Sequence, residues 1–147
     1  MMKWMVKQVN QKNKGFTLIE MVVVLAIIAV LIAIAVPQVM KQINKSKINA
    51  DIANAKAIAT AIQQWVAEGN SLTNQSNWVA IENNVPITSG LDQYITGGVP
   101  VPKLQNNTKF AYKYDSSTQT VFIGVYQGSF GTNGVELYPT PDLNNYK

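Results

Sequence analysis

Few residues in this chain could do chemistry, and the sharpest is a carboxylate in an unexpected place. Glu20 stands inside residues 16–36, FTLIEMVVVLAIIAVLIAIAV, where only it and Thr17 are polar. A carboxylate at the centre of a membrane helix costs roughly 2.5 to 3.5 kcal/mol, and less near an end, so Glu20 calls for a cation or a proton. Immediately before the run lies Lys14-Gly15-Phe16, and glycine is the residue that lets backbone approach an enzyme pocket most closely. The other carboxylate pair to weigh is Glu136 with Asp142. Nothing accompanies it that would make a catalyst, because the chain has no histidine, cysteine or arginine. That removes the common general base, the thiol nucleophile, the soft metal ligands and the bidentate anion clamp. With no phosphate loop or nucleophile elbow either, an enzyme is not expected, and neither is a cofactor or a metal centre.

The elements that must position these residues follow from length and pattern. The 147 residues have room for one membrane or packing helix and one small globular domain. The formal charge of +4 comes from Lys3, Lys7, Lys12 and Lys14, since eight lysines and eight acids balance from residue 16 onward. A basic body that binds nucleic acid is therefore not indicated. The run 16–36 would be roughly 31 Å long as a helix, enough to span a bilayer core. Behind Pro37 the apolar pattern resumes at Val39, Met40, Ile43, Ile48, Ile52, Ala55, Ile58, Ala59, Ile62, Trp65 and Val66, a one-sided stripe. Lys41, Lys45, Lys47, Asp51 and Lys56 would face water, with Lys47 and Asp51 at the i,i+4 spacing. Gly69-Asn70 is a stop signal. The spacing predicts a nearly continuous helix over 16–68, bent or loosened at Pro37.

After Gly69 the chain turns to Asn, Ser, Thr, Gly and Pro with short apolar runs. Strands are predicted over 109–114, 120–126 and 134–138, with turns at Asp115-Ser116-Ser117-Thr118 and Gly131-Thr132-Asn133. The fold class is thus α+β: a long N-terminal helix, apolar half then amphipathic half, packed on a small antiparallel sheet. The stripe 39–66 is the only large cover available to that sheet. The segment from residue 38 onward is accordingly expected to be soluble and monomeric. Alternation of Tyr112 with Tyr114, and of Phe122 with Tyr126, favours core packing over a surface that stacks on bases or sugars. The sequons Asn74-Gln75-Ser76 and Asn106-Asn107-Thr108 are short enough to arise by chance, and the lysines after the run read as a solvated helix face before a lipid-binding patch.

The stretch Lys14-Gly15-Phe16-Thr17-Leu18-Ile19-Glu20 followed by the apolar run resembles the signature of type IV prepilins and their pseudopilin relatives, with a short basic leader ending in Gly15, Glu20 fifth from the cut, and Pro37 where such pilins often carry a proline. The resemblance implies that residues 1–15 are a leader removed by prepilin peptidase between Gly15 and Phe16, and that the new Phe16 amine is methylated. It also implies that residues 16–37 are the transmembrane and filament-core half, 38–69 the amphipathic half, and 70–147 a loop region with the small sheet. Glu20 would pair with the Phe16 amine of an adjoining subunit and set the axial register, while Pro37 would kink or locally loosen the helix. The implied partners are copies of the chain in a helical filament, the peptidase, the pilus assembly platform, other pilins and the membrane. The implied location is the cytoplasmic membrane, single-pass, before assembly, and an extracellular pilus afterwards.

The chain departs from many pilins in having no cysteine to close a C-terminal disulfide. Residues 127–147 must then be held by packing, hydrogen bonds or an ion, and calcium, which major pseudopilins often bind there, would find only Glu136 and Asp142. A type II secretion pseudopilin is the near alternative. A rival of another class is a secreted binding protein whose residues 1–35 are an ordinary signal cut after Ala33-Ile34-Ala35.

Overall fold

A computed structural model describes residues 16–81, 91, 93–95, 97–105, 108–126 and 134–146. The elements in chain order are α1 (Leu18–Ala67), β1 (Gln75–Ala80), β2 (Lys109–Asp115), β3 (Thr120–Tyr126) and β4 (Gly134–Tyr138). The chain divides into two units, one up to Lys41 and one from Gln42 onward.

In the first unit, α1 begins at a run with no polar face, and every described side chain of that unit is exposed, from 82% for Leu18 to 44% for Val24 among the large apolar ones. By length and composition this stretch is sufficient to cross a bilayer. Pro37 lies inside the helix. Its ring nitrogen cannot donate to the carbonyl of Ala33, one turn earlier, so the ladder of backbone bonds is interrupted there by covalent chemistry alone.

The second unit holds the core. Ala55, Ile58, Ala59 and Ile62 of α1 are fully buried against Phe110, Tyr112, Val121, Ile123 and Leu137 of the sheet. A buried side chain of that size contributes about 1.5 to 3 kcal/mol over an exposed one, so this seam holds helix to sheet. The packed stripe starts at Ile48, whereas Val39, Met40 and Ile43 are exposed. The extension of the stripe back to residue 39 is therefore corrected: an apolar stripe is buried only where another layer covers it, and the core cluster takes in the helix only from Ile48 onward. α1 ends where Gly69 takes a positive φ of 95°, a conformation that glycine adopts without a Cβ penalty. The side chain of Asn70 donates to the Trp65 carbonyl at 2.9 Å, capping that end.

The sheet is a meander in the order β1-β2-β3-β4, each neighbouring pair antiparallel. Three of its strands fall where the sequence placed them, and β1 makes a fourth, which corrects the three-stranded expectation. Its first half, Gln75-Ser76-Asn77, is polar and lies on a sheet edge, so it carries no alternating signal; only Trp78, Ala80 and Ile81 turn into buried positions.

The aromatic residues divide between two faces. Tyr112 and Tyr114 join the core under α1, whereas Trp78 forms a smaller outer cluster with Ala111, Tyr126 and Phe122. The indole of Trp78 lies across Gly124 and Gly134. A Cβ on either glycine would come within 2.6 to 2.9 Å of the ring, a distance that only a shift of the sheet could relieve, so both positions must be small.

Among the described residues of the second unit, the exposed large hydrophobics are Ile43, Val101 and Leu143. A chain starting at Gln42 is expected to run as a soluble monomer with a cooperative thermal transition. Sedimentation and circular dichroism check this, and precipitation or a non-cooperative melt would contradict the packing described.

Candidate assembly site at the helix start

The first turn of α1 is closed by Thr17 and Glu20. Glu20 Oε2 accepts hydrogen bonds from the backbone N–H and from the hydroxyl of Thr17, both at 2.8 Å. In return the N–H of Glu20 donates to Thr17 Oγ1 at 3.3 Å. This is a reciprocal capping box, which satisfies amides that the first turn cannot pair within the helix. The Thr-x-x-Glu spacing ahead of an apolar run is the sequence signal for such a box.

The box has a chemical consequence. Both its members follow Gly15, so a cut between Gly15 and Phe16 would leave every one of its bonds in place. A carboxylate bonded to an N–H and an O–H is less costly to hold in apolar surroundings than a bare one, and it sits at the positive end of the helix dipole. Phe16, 72% exposed, adjoins it. Gly15 and the leader lie outside the described residues.

The remaining candidates are placed elsewhere and serve the domain. The N–H of Thr140 donates to Glu136 Oε1 at 3.3 Å, and the N–H of Asp142 to the Glu136 carbonyl at 2.9 Å. Asp142 in turn accepts the side-chain N–H of Asn145 at 2.7 Å. The two carboxylates thus organise the turn after β4, which contains a cis Tyr138-Pro139 bond. Among the described residues no group of three or more acidic side chains is arranged to hold a metal ion. Asn74 is exposed before β1, and Asn106 and Asn107 of the second sequon lie outside the described residues.

One residue contradicts its expected place. Asp51 does not face water beside Lys47; it is fully buried. Its Oδ1 accepts the N–H of Lys103 at 2.7 Å, and its Oδ2 accepts the N–H of Leu104 at 2.9 Å and the hydroxyl of Tyr146 at 2.7 Å. Three donors offset the cost of burying the charge, and they tie helix, loop and C-terminal segment together. Burial first, and the bond to Asp51 second, push the Tyr146 hydroxyl well above the usual tyrosine range. Just past the end of α1, the hydroxyl of Tyr94 donates to Glu68 and fastens the loop after residue 91 to the helix end.

An exposed apolar helix long enough to cross a bilayer, with a capped acidic start, continues into a helix-on-sheet domain, the α+β architecture of pilin-like proteins. The profile of the prokaryotic N-terminal methylation motif matches residues 10–36. The chain is 33% identical over 91 residues to the major component of the type IV narrow pilus of Thermus thermophilus, covering 52% of this chain and 78% of that one. It is 39% identical over 72 residues to the type IV major pilin protein of Myxococcus xanthus, covering 49% of this chain and 33% of that protein. It is also 40% identical over 56 residues to core protein G of the type II secretion system of Pseudomonas aeruginosa, covering 38% and 39%. No solved structure matches. The chain belongs to the type IV pilin family. It nevertheless spans only a third to two fifths of the length of the Myxococcus and Pseudomonas relatives.

Proposed function

We propose that this chain is the precursor of a structural subunit of a type IV pilus-like filament, inserted in the cytoplasmic membrane through residues 16–37, polymerised through its N-terminal helix, and extracellular once assembled. The observation that carries the reading is the helix from Leu18 to Val36, whose large side chains are all exposed while the second unit completes its own core. Such a surface needs lipid or other helices. A bundle of identical helices supplies the second once the first is left behind.

In this account prepilin peptidase removes residues 1–15 and the Phe16 amine is methylated. The new amine is a cation, and Glu20 of a neighbouring copy is the anion that compensates it in a low-dielectric core. The capping box holds that carboxylate at the helix start until the amine arrives, and the pair rewards one axial register. Pro37, with its missing bond to Ala33, gives the helix a point at which it can loosen on assembly. The assembly platform and other pilins are the further partners.

The matching segment of the secretion-system protein favours a second reading, a pseudopilin acting within a secretion machine. Membrane and sheared-surface fractions of cells expressing Gly15→Leu test the first step. The bulky leucine at the cut is expected to leave uncut precursor in the membrane and no filaments, whereas the small side chain of Gly15→Ala is better tolerated and processed. Normal processing of the leucine variant would remove the peptidase assignment. Filaments on the cell surface of the parent strain favour a pilin, and their absence alongside a secretion defect favours the pseudopilin.

A further inference from the structure

Two of the large apolar side chains that the second unit leaves exposed stand on segments gathered by one carboxylate. Val101, 70% exposed, lies two residues before Lys103, and Leu143, 51% exposed, lies three residues before Tyr146. The N–H of Lys103 and the hydroxyl of Tyr146 both donate to Asp51, each at 2.7 Å. Val101 cannot easily turn inward, because it sits between Pro100 and Pro102, whose rings fix the local backbone, and Pro102 is itself buried. Ile43, also exposed, precedes Asp51 on α1 by eight residues. Single exposed apolar residues scattered over a surface need no explanation. Here they collect at the end of the domain where α1 enters it.

Lysines share that end. Lys45 and Lys103 are exposed and Lys47 is half-buried. They outnumber the acids beside them, because the charge of Asp51 is buried under its three donors and leaves only Asp142, which is half-buried and accepts from Asn145. The end therefore combines apolar side chains with outward ammonium groups, the pairing by which a protein surface meets an anionic bilayer.

Chain connectivity favours that partner over a second copy. Lys45 follows Val36, the last residue of the apolar run, by nine residues, so once the run is in a bilayer a short tether keeps this end within reach of the headgroups and raises its local concentration there. A bilayer surface takes up single apolar side chains without shape complementarity. A stable contact between two proteins buries roughly 1,200 Å² or more, which so few side chains do not supply. We propose that this end of the second unit docks on the headgroups of anionic phospholipids, with Val101 and Leu143 entering the interface and Lys45, Lys47 and Lys103 meeting the phosphates. The inference rests on insertion of residues 16–37 in the membrane. It adds that the folded domain lies on the bilayer before assembly, so that polymerisation has to detach it.

The test uses the full chain in nanodiscs at one copy per disc, made of phosphatidylcholine alone or mixed with phosphatidylglycerol. The chain has no cysteine, so a spin label on a single introduced cysteine reports one place. Asn144→Cys, exposed beside Leu143, reads docking, and Val30→Cys reads insertion of the apolar run. Ser116→Cys is the solvent reference, since the Ser116 N–H reaches Asn74, beyond the other end of α1. The readout is accessibility to oxygen, which concentrates in lipid, relative to a water-soluble nickel complex. In the mixed discs this ratio at position 144 is expected to exceed that at 116 by about threefold or more, and docking should weaken about fivefold for each lysine replaced by glutamine. Val101→Asp with Lys103→Gln should return position 144 to the reference while the near-UV spectrum stays folded, because both side chains are exposed and Lys103 holds Asp51 through its backbone. A lipid reading at 30 with an aqueous reading at 144 would overturn the docking and leave the membrane assignment standing, whereas an aqueous reading at 30 would remove both. Shielding of 144 that arises only at two copies per disc would also overturn it and assign this end to a second copy.

Discussion

Glu20→Ala is expected to insert in the membrane at least as well as the parent, to be cut after Gly15, and to yield sheared filaments reduced at least about tenfold. The first two follow because alanine removes a carboxylate from an apolar run. The third follows because hydrogen bonds to charged groups contribute about 1.5 to 3 kcal/mol each, and every 1.4 kcal/mol is a factor of ten in an equilibrium. The capping box adds a control, since alanine would also lose the bonds from Thr17. Glu20→Gln keeps an acceptor for both and removes only the charge. If the pairing account holds, both variants fail to assemble. Filaments at parental levels from Glu20→Gln would show that the residue caps the helix and does nothing more, while loss of either variant from the membrane would place its role before assembly.

Asp51→Ala is expected to destabilise the second unit by about 3 to 5 kcal/mol, a large part of a typical domain's 5 to 15. The substitution strands the amides of Lys103 and Leu104 and the hydroxyl of Tyr146, all three directed at the carboxylate, and unpaired buried donors are costly. Asp51→Asn, which keeps acceptor capacity, should lose less. Urea unfolding followed by tryptophan fluorescence measures both, and an alanine variant within about 1 kcal/mol of the parent would mean that the clasp does not hold the C-terminal segment. The clasp also carries a pH dependence. The folded-state pKa of Tyr146 is raised, so its contribution is fully present below the unfolded tyrosine value of about 10 and is lost as pH rises beyond it. Tyr146→Phe should be less stable at neutral pH and should lack that part of the alkaline decline.

Legibility in the sequence followed the range of the interactions. The helix was readable to within about two residues at each end, because the apolar run, the stripe and Gly69-Asn70 are local signals. The strands 120–126 and 134–138 were readable from alternation between turns. β1 was not, since an edge strand opening on Gln75-Ser76-Asn77 resembles a loop until its partner β2 is known. Asp51 was misplaced for a related reason: a charge in an amphipathic stripe reads as water-facing, and its partners lie 52, 53 and 95 residues away. Two of them are backbone amides, which leave no trace in residue type. At the helix start the charge of Glu20 is plain, whereas its bonds to Thr17 leave only the weaker signal of a Thr-x-x-Glu spacing.

The most direct measurement of the central claim is the intact mass of this protein recovered from sheared surface filaments. The account expects one species comprising residues 16–147 with a single added methyl group on the Phe16 amine, present as a repeating component of the fibre. A mature chain beginning at Val36, found free in the medium and absent from any filament, would contradict it.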